Sequence, residues 1–221
     1  MLHIIDNPYD GQPLTDKNIC NYILSNELNT TNIRLKELKE LDIQPFLQKD
    51  FKTLEQDCTF TSILTCVHYF YPQVADVQTI YDVALSIYHR EYPQYQDIKG
   101  TVPFAIRSVY NEVYKYFKLH FYTIKSKYIN KIGFSYKDIK TQIDNGIPVI
   151  LSFYSDRRKY YKNHSVTVIG YAEFEMDNTD PIFSYVKPLK TKKMLIIYDN
   201  WSTEIRYLDL DLISPISSIV F

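Results

Sequence analysis

Glycine is scarce in this chain, five residues in 221. None forms a glycine-rich phosphate loop, so nucleotide hydrolysis has no support. Cysteine is scarcer still, three in all and an odd count. That is too few for a disulfide scaffold and fits a reducing compartment, so a cytoplasmic location is expected. Charge of one sign is also lacking: 25 Lys and Arg stand against 26 Asp and Glu, a net charge of -1. No global basic field invites nucleic acid. No apolar run approaches the ~18 residues that a membrane span requires. Met1-Leu2-His3-Ile4-Ile5-Asp6-Asn7-Pro8 lacks the basic and apolar regions of a signal peptide. Metal-ligand spacing is missing as well. Cys58, Cys66 and His68 are not arranged as a zinc site, and no His-Glu-X-X-His occurs. Neither a metal nor another cofactor is expected, and neither nucleic acid nor a membrane as partner. The oligomeric state stays open.

Hydrophobic residues make up 45% of the chain, enough for a sizeable core. Tyrosine is abundant, with 21 residues, read as half-buried packing. Residues 1–44 read as a helical extension, with one helix through Ile19, Tyr22, Ile23 and Leu24 and a Lys- and Glu-rich helix or extended arm over 33–41. Residues 45–221 read as the main domain. Apolar positions at helical spacing follow Cys58, recur over 77–89 and return after Pro103. A short strand is expected over 120–124, and a helix through Ile139 and Ile143 ends at Asn145-Gly146. From Pro148 the pattern turns to β: 148–154, 164–171, 194–198 and 203–208 read as strands, with 216–221 closing an edge. Helices first and an antiparallel sheet last is the α+β pattern.

One stretch organises the rest, Gln56-Asp57-Cys58-Thr59-Phe60-Thr61-Ser62. Asp57 is a good N-cap, which puts Cys58 at the first helical position. There the helix dipole and the open N–H groups favour thiolate, the nucleophilic form. A thiolate nucleophile needs a base, and the base needs orienting. His68 lies ten residues along the same helix, roughly 15 Å away by helical rise. His3, His89 and His120 have no evident site around them. His164 opens a strand after a polar turn, and Asp199 ends the following strand, before Asn200 and the single tryptophan, Trp201. If these strands are antiparallel neighbours, Asp199 falls beside His164, where a carboxylate would fix the imidazole tautomer and favour imidazolium. Trp201 would then cover the pair, and Asn200 is a rival for the third position. Cys66 and Cys20 read as structural. Asn-X-Ser/Thr triplets at Asn29, Asn163 and Asn200 read as chance matches.

The order Cys, His, Asp-Asn-Trp resembles the papain-like fold in its peptidase C39-like, bacterial branch. Gln56-Asp57-Cys58-Thr59-Phe60-Thr61-Ser62 is similar to that branch's nucleophile turn. Asn163-His164-Ser165-Val166-Thr167-Val168-Ile169-Gly170-Tyr171 is similar to its His strand, and Tyr198-Asp199-Asn200-Trp201 to its third strand end. The resemblance spans roughly residues 43 to 212. It implies a cysteine peptidase-like hydrolase with Cys58, His164 and Asp199 as the catalytic triad, acting on a peptide or acyl-thioester substrate. It also implies an oxyanion-hole glutamine, Gln48, with Gln56 the alternative. Thr59 stands where the family usually has glycine, and Gln48 lies further from the cysteine than in most members. Two other readings therefore stand beside the hydrolase: an acyltransferase using the same triad, and a papain-like binding module without turnover.

Overall fold

The computed structural model describes residues 8–27, 30–51, 57–73, 75–95, 100–119, 126–129, 136–155, 160–178, 190–213 and 217–220. In chain order these form α1 (Ile19–Asn26), β1 (Thr30–Glu40), α2 (Cys58–Phe70), α3 (Val77–Glu91), α4 (Pro103–Tyr116), β2 (Ser126–Ile129), α5 (Tyr136–Asp144), β3 (Val149–Ser155), β4 (Lys162–Asn178), β5 (Lys190–Tyr198), β6 (Arg206–Asp209) and β7 (Ser217–Val220). The strands make one sheet in the order β2-β7-β3-β4-β5-β6, with β1 paired to β4, and every pairing is antiparallel. The class is α+β.

The sheet separates two cores. Val149, Leu151 and Phe153 of β3 join the core shared with α1, α5 and β4–β6, whereas Ile150 joins that of α2, α3 and α4. This is the period-two alternation of a strand covered on both faces. Helix α2 is buried at every residue from Cys58 to Val67. It packs on α3 and α4 and on β3 and β4. Burying a side chain such as Ile63 or Leu64 is worth about 1.5–3 kcal/mol, so the start of α2 is held firmly against the sheet. Two of its buried hydroxyls are satisfied locally: Thr61 Oγ1 donates to the Asp57 carbonyl at 3.1 Å and Thr65 Oγ1 to the Thr61 carbonyl at 2.8 Å.

Three expectations change. Residues 33–41 form the extended arm rather than a helix. β1 pairs with β4 from Thr30↔Asn178 to Glu40↔Gly170, so the first 44 residues are helical only in part. They also pack on the main core, with Leu14, Tyr22 and Ile23 buried and the Tyr22 hydroxyl donating to Asp209 at 2.9 Å. The final strand does not close an edge: β7 lies between β2 and β3. β4 is also longer than 164–171, because both β1 and β5 pair with its second half. The strand expected over 120–124 lies outside the described residues.

Candidate active site

Asp57 occupies the N-cap of α2, but its side chain makes no cap bond. The Tyr81 hydroxyl of α3 donates to its carboxylate instead. Cys58 is the first residue of the helix, as its sequence context predicts. Its Sγ accepts a hydrogen bond from the Ser165 main-chain N–H at 3.4 Å, which ties the thiol to β4 one residue beyond His164. Burial works against the thiolate that the helix start favours. Burial pushes the Cys58 thiol up, and the nearby Ser165 and Thr59 N–H and hydroxyl groups oppose that rise only in part. In a site this dry, desolvation of the charged form outweighs the helix start.

His164 Nε2 lies 2.7 Å from the Asp199 main-chain oxygen. A carbonyl oxygen can only accept, so Nε2 carries the hydrogen and Nδ1 keeps the lone pair. β4 and β5 are antiparallel neighbours with Thr167 opposite Tyr198, which is what brings the start of one strand to the end of the other. Burial holds the His164 pKa down at about 4, against a smaller raising effect of the Asp199 carbonyl. The imidazole is therefore neutral at neutral pH, not the imidazolium expected beside a carboxylate. Trp201 packs on it with ring centroids 4.2 Å apart, and Tyr161 stacks at 5.4 Å with planes 6° apart. Tyr161 and Trp201 also meet, at 5.4 Å, so the three rings form a triangle. Trp201 keeps 45% of its surface exposed while His164 keeps 3%, so the indole is the outer cover.

The Asp199 side chain does not make the orienting contact that the sequence suggested for it. Its Oδ1 accepts from the N–H groups of Trp201 and Ser202, both at 3.0 Å. Its Oδ2 accepts from the Tyr161 hydroxyl at 3.3 Å and lies 3.7 Å from Arg206 Nε. The carboxylate thus fixes the turn, and the turn aims the carbonyl. Burial raises the Asp199 pKa, against the turn N–H groups, Arg206 and Tyr161.

Asn200 follows at φ 64°, a left-handed conformation that asparagine tolerates better than most residues. Its Nδ2 donates to the Cys58 carbonyl at 3.0 Å, to Ser62 Oγ at 2.9 Å and to the Ser165 carbonyl at 3.0 Å. It therefore joins α2 to β4, and its Oδ1, without a hydrogen-bond partner, does not bond the imidazole. Asn163, just before His164, is also left-handed, at φ 43°. Backbone shape accounts for both asparagines in what look like glycosylation triplets.

Gln48 donates its main-chain N–H to the Asn200 carbonyl at 2.8 Å, so it sits against the same turn. Its side-chain Oε1 is buried without a hydrogen-bond partner. Gln56 lies outside the described residues. Cys66 is buried further along α2, its thiol pushed up to about 12 by burial, and Cys20 is exposed. Among the described residues no group of three His, Cys, Asp or Glu side chains is placed to hold a metal, and no helix is long and apolar enough to cross a membrane.

Sequence reasoning passed over Tyr161, Ser152 and Ser165. Ser152 interrupts an apolar run, Val149-Ile150-Leu151-Ser152-Phe153, and a hydroxyl inside a doubly covered strand was the available signal.

Helix α2 thus packs Cys58 against the strand that carries His164, and the turn after β5 aims a carbonyl at the imidazole. Residues 40–204 match the model of the Peptidase C39 like family, and the chain belongs to that family. No curated protein matches the chain.

Proposed function

We propose that the protein is a cysteine hydrolase that cleaves a peptide, amide or thioester bond through an acyl-enzyme on Cys58. The observation that carries this reading is the bond from His164 Nε2 to the Asp199 carbonyl, which leaves Nδ1 as the proton acceptor, on the residue next to the one that binds Cys58 Sγ. The Cys58 proton passes to Nδ1 as sulfur attacks the acyl carbon. The carbonyl oxygen takes the negative charge, with the Cys58 N–H and the Gln48 side-chain amide as its donors. Collapse expels the amine or thiol, which leaves with the proton from His164. Water then attacks the thioester and gives a proton to His164. Release of the acid returns that proton to the sulfur. Asp199 orients the base through its carbonyl.

Incubating the protein with a short acyl thioester and weighing the intact chain tests this. An acyl adduct on Cys58 that disappears in His164→Ala is expected. An adduct of equal yield in His164→Ala contradicts the mechanism. Free acid as the final product marks hydrolysis, and an amide formed with an added amine marks acyl transfer.

A second reading has its own observation. Cys58 is 7% exposed and His164 3%, a closed site that suits a binding module without turnover. Tight binding of a peptide with no covalent adduct at any pH would favour it.

A further inference from the structure

Thr59, beside the nucleophile, takes no part in the chemistry above. Its Oγ1 lies 2.9 Å from Ser165 Oγ, and Ser165 Oγ lies 2.6 Å from Ser152 Oγ. Ser152 and Ser165 stand opposite each other on β3 and β4. All three side chains are buried, where an unsatisfied hydroxyl is costly. Apolar residues would serve mere packing there.

The chain of hydroxyls adjoins the thiol. Ser165 gives its N–H to Cys58 Sγ at 3.4 Å, and Thr59 is the residue after Cys58 at the start of α2, so two of the three hydroxyls belong to residues beside the sulfur. Three hydroxyls carry three protons, and their two mutual contacts use two. One proton is always left over. With the chain running Ser152 to Ser165 to Thr59, that proton sits on Thr59, next to Cys58. With the direction reversed, it sits on Ser152, and with both outer hydroxyls donating to Ser165 it sits on Ser165.

We propose that Thr59, Ser165 and Ser152 form a reversible hydroxyl chain that turns a hydrogen-bond donor towards Cys58 Sγ when the thiol gives its proton to His164. This rests on the reading of Cys58 as the nucleophile. No hydroxyl ionises. The thiol proton moves to His164 Nδ1, each hydroxyl keeps its own proton, and only the O–H directions change. Thr59 and Ser165 are positioning residues for the thiolate, and Ser152 sets the direction of the chain. Thr59, in place of the glycine usual in the family, supplies a donor that glycine lacks. Other titratable groups near the thiol are His164 on β4, Asp57 before α2, Tyr81 on α3 and Asp199 after β5. None of them is changed by the substitutions below.

The test is a pH titration of the Cys58 Cβ chemical shift in isotope-labelled protein, which needs neither substrate nor reagent access. Cys20→Ser and Cys66→Ala assign the signals. Thr59→Val removes the hydroxyl at nearly constant shape and should raise the thiol midpoint by about one pH unit. Ser165→Ala should raise it as well, and Ser152→Ala, at the far end of the chain, by less. Thr59→Ser should titrate with the wild type. An unchanged midpoint in Thr59→Val overturns the proposal, and so does an equal shift in Thr59→Ser, which would trace the effect to packing. If a β-strand variant fails to fold, the Thr59 pair decides alone. Turnover that survives in Cys58→Ala removes the hydrolase reading and leaves the titration standing. An unmoved titration with Cys58-dependent turnover removes only the hydroxyl chain.

Discussion

His164 Nε2 donates to the main-chain oxygen of Asp199 at 2.7 Å, while the Asp199 carboxylate accepts from the N–H groups of Trp201 and Ser202. The imidazole is thus held by a neutral acceptor, and the charged group acts one step removed, through the turn. Asp199→Asn should separate the two roles. The amide Oδ1 can still accept from both turn N–H groups, so the carbonyl keeps its aim. Turnover should fall by less than about tenfold, whereas loss of a directly orienting carboxylate costs on the order of 10⁴. Asp199→Ala releases the turn and should cost far more than Asp199→Asn. Comparing kcat for the two variants checks this, and equal, severe losses would return the orienting role to the carboxylate.

A neutral, buried His164 makes folding sensitive to acid. Its pKa is lowered from 6.5 to about 4, first by burial. Between these values the unfolded chain binds a proton that the folded chain refuses. Stability should therefore be complete above about pH 6.5 and fall as pH drops towards 4, by up to about 3 kcal/mol. Asp199 works in the opposite sense. Its raised pKa means that protonation in acid favours the folded form and offsets part of the loss. Urea denaturation at about pH 7 and pH 5 should show the decline, and His164→Gln should flatten it. A wild-type curve already flat over that range would mean that the imidazole is solvated.

Trp201 is the outer cover of that imidazole, with centroids 4.2 Å apart. Removing the indole in Trp201→Ala should let water reach the ring and move the His164 pKa back towards 6.5, by about one unit or more. Proton NMR of the histidine ring, assigned with His164→Gln, reads this directly. A midpoint that stays near 4 would assign the desolvation to Tyr161 and Phe153 instead.

Asn200 sends one amide nitrogen to three acceptors on α2 and β4. Asn200→Ala leaves buried carbonyls unsatisfied and should cost about 1–3 kcal/mol, with left-handed strain of about 1 kcal/mol added. Asn200→Asp turns an oxygen towards two carbonyl oxygens and should be worse than alanine. Chemical denaturation ranks them, and a milder aspartate variant would mean that the amide sits the other way round.

Pairing of β1 with β4 has its own check. A Cβ on Gly170 would lie 2.3 Å from the Lys39 main-chain oxygen, closer than any side-chain repacking can relieve. Gly170→Ala should cost about 1–3 kcal/mol or more and speed amide exchange along Thr30–Glu40. Wild-type stability in this variant would dissociate β1 from the sheet.

Much of the site was legible in the chain because its parts obey local rules. Cys58 follows a polar turn and opens an apolar helical face, and strands with a short period of apolar residues put His164 near Asp199 once β4 and β5 are antiparallel. What escaped was direction. Whether Asp199 offers a carboxylate or a carbonyl depends on the turn held by Asn200 at φ 64°, and no spacing rule carries that. Asp57 likewise fits a cap in sequence, but tertiary packing gives its carboxylate to Tyr81. β1 was obscured because its Lys- and Glu-rich stretch has mostly half-exposed or exposed side chains, which blurs the period-two signal. The place of β7 inside the sheet is a long-range pairing that only topology decides.

Turnover through Cys58 separates a hydrolase from a binding module. The most direct measurement is digestion of a broad peptide library, with products read by mass spectrometry for wild type, Cys58→Ala and His164→Ala. Reproducible cleavage by the wild type that drops by about 10³-fold or more in both variants is the predicted result. Cleavage that persists unchanged in Cys58→Ala would contradict it.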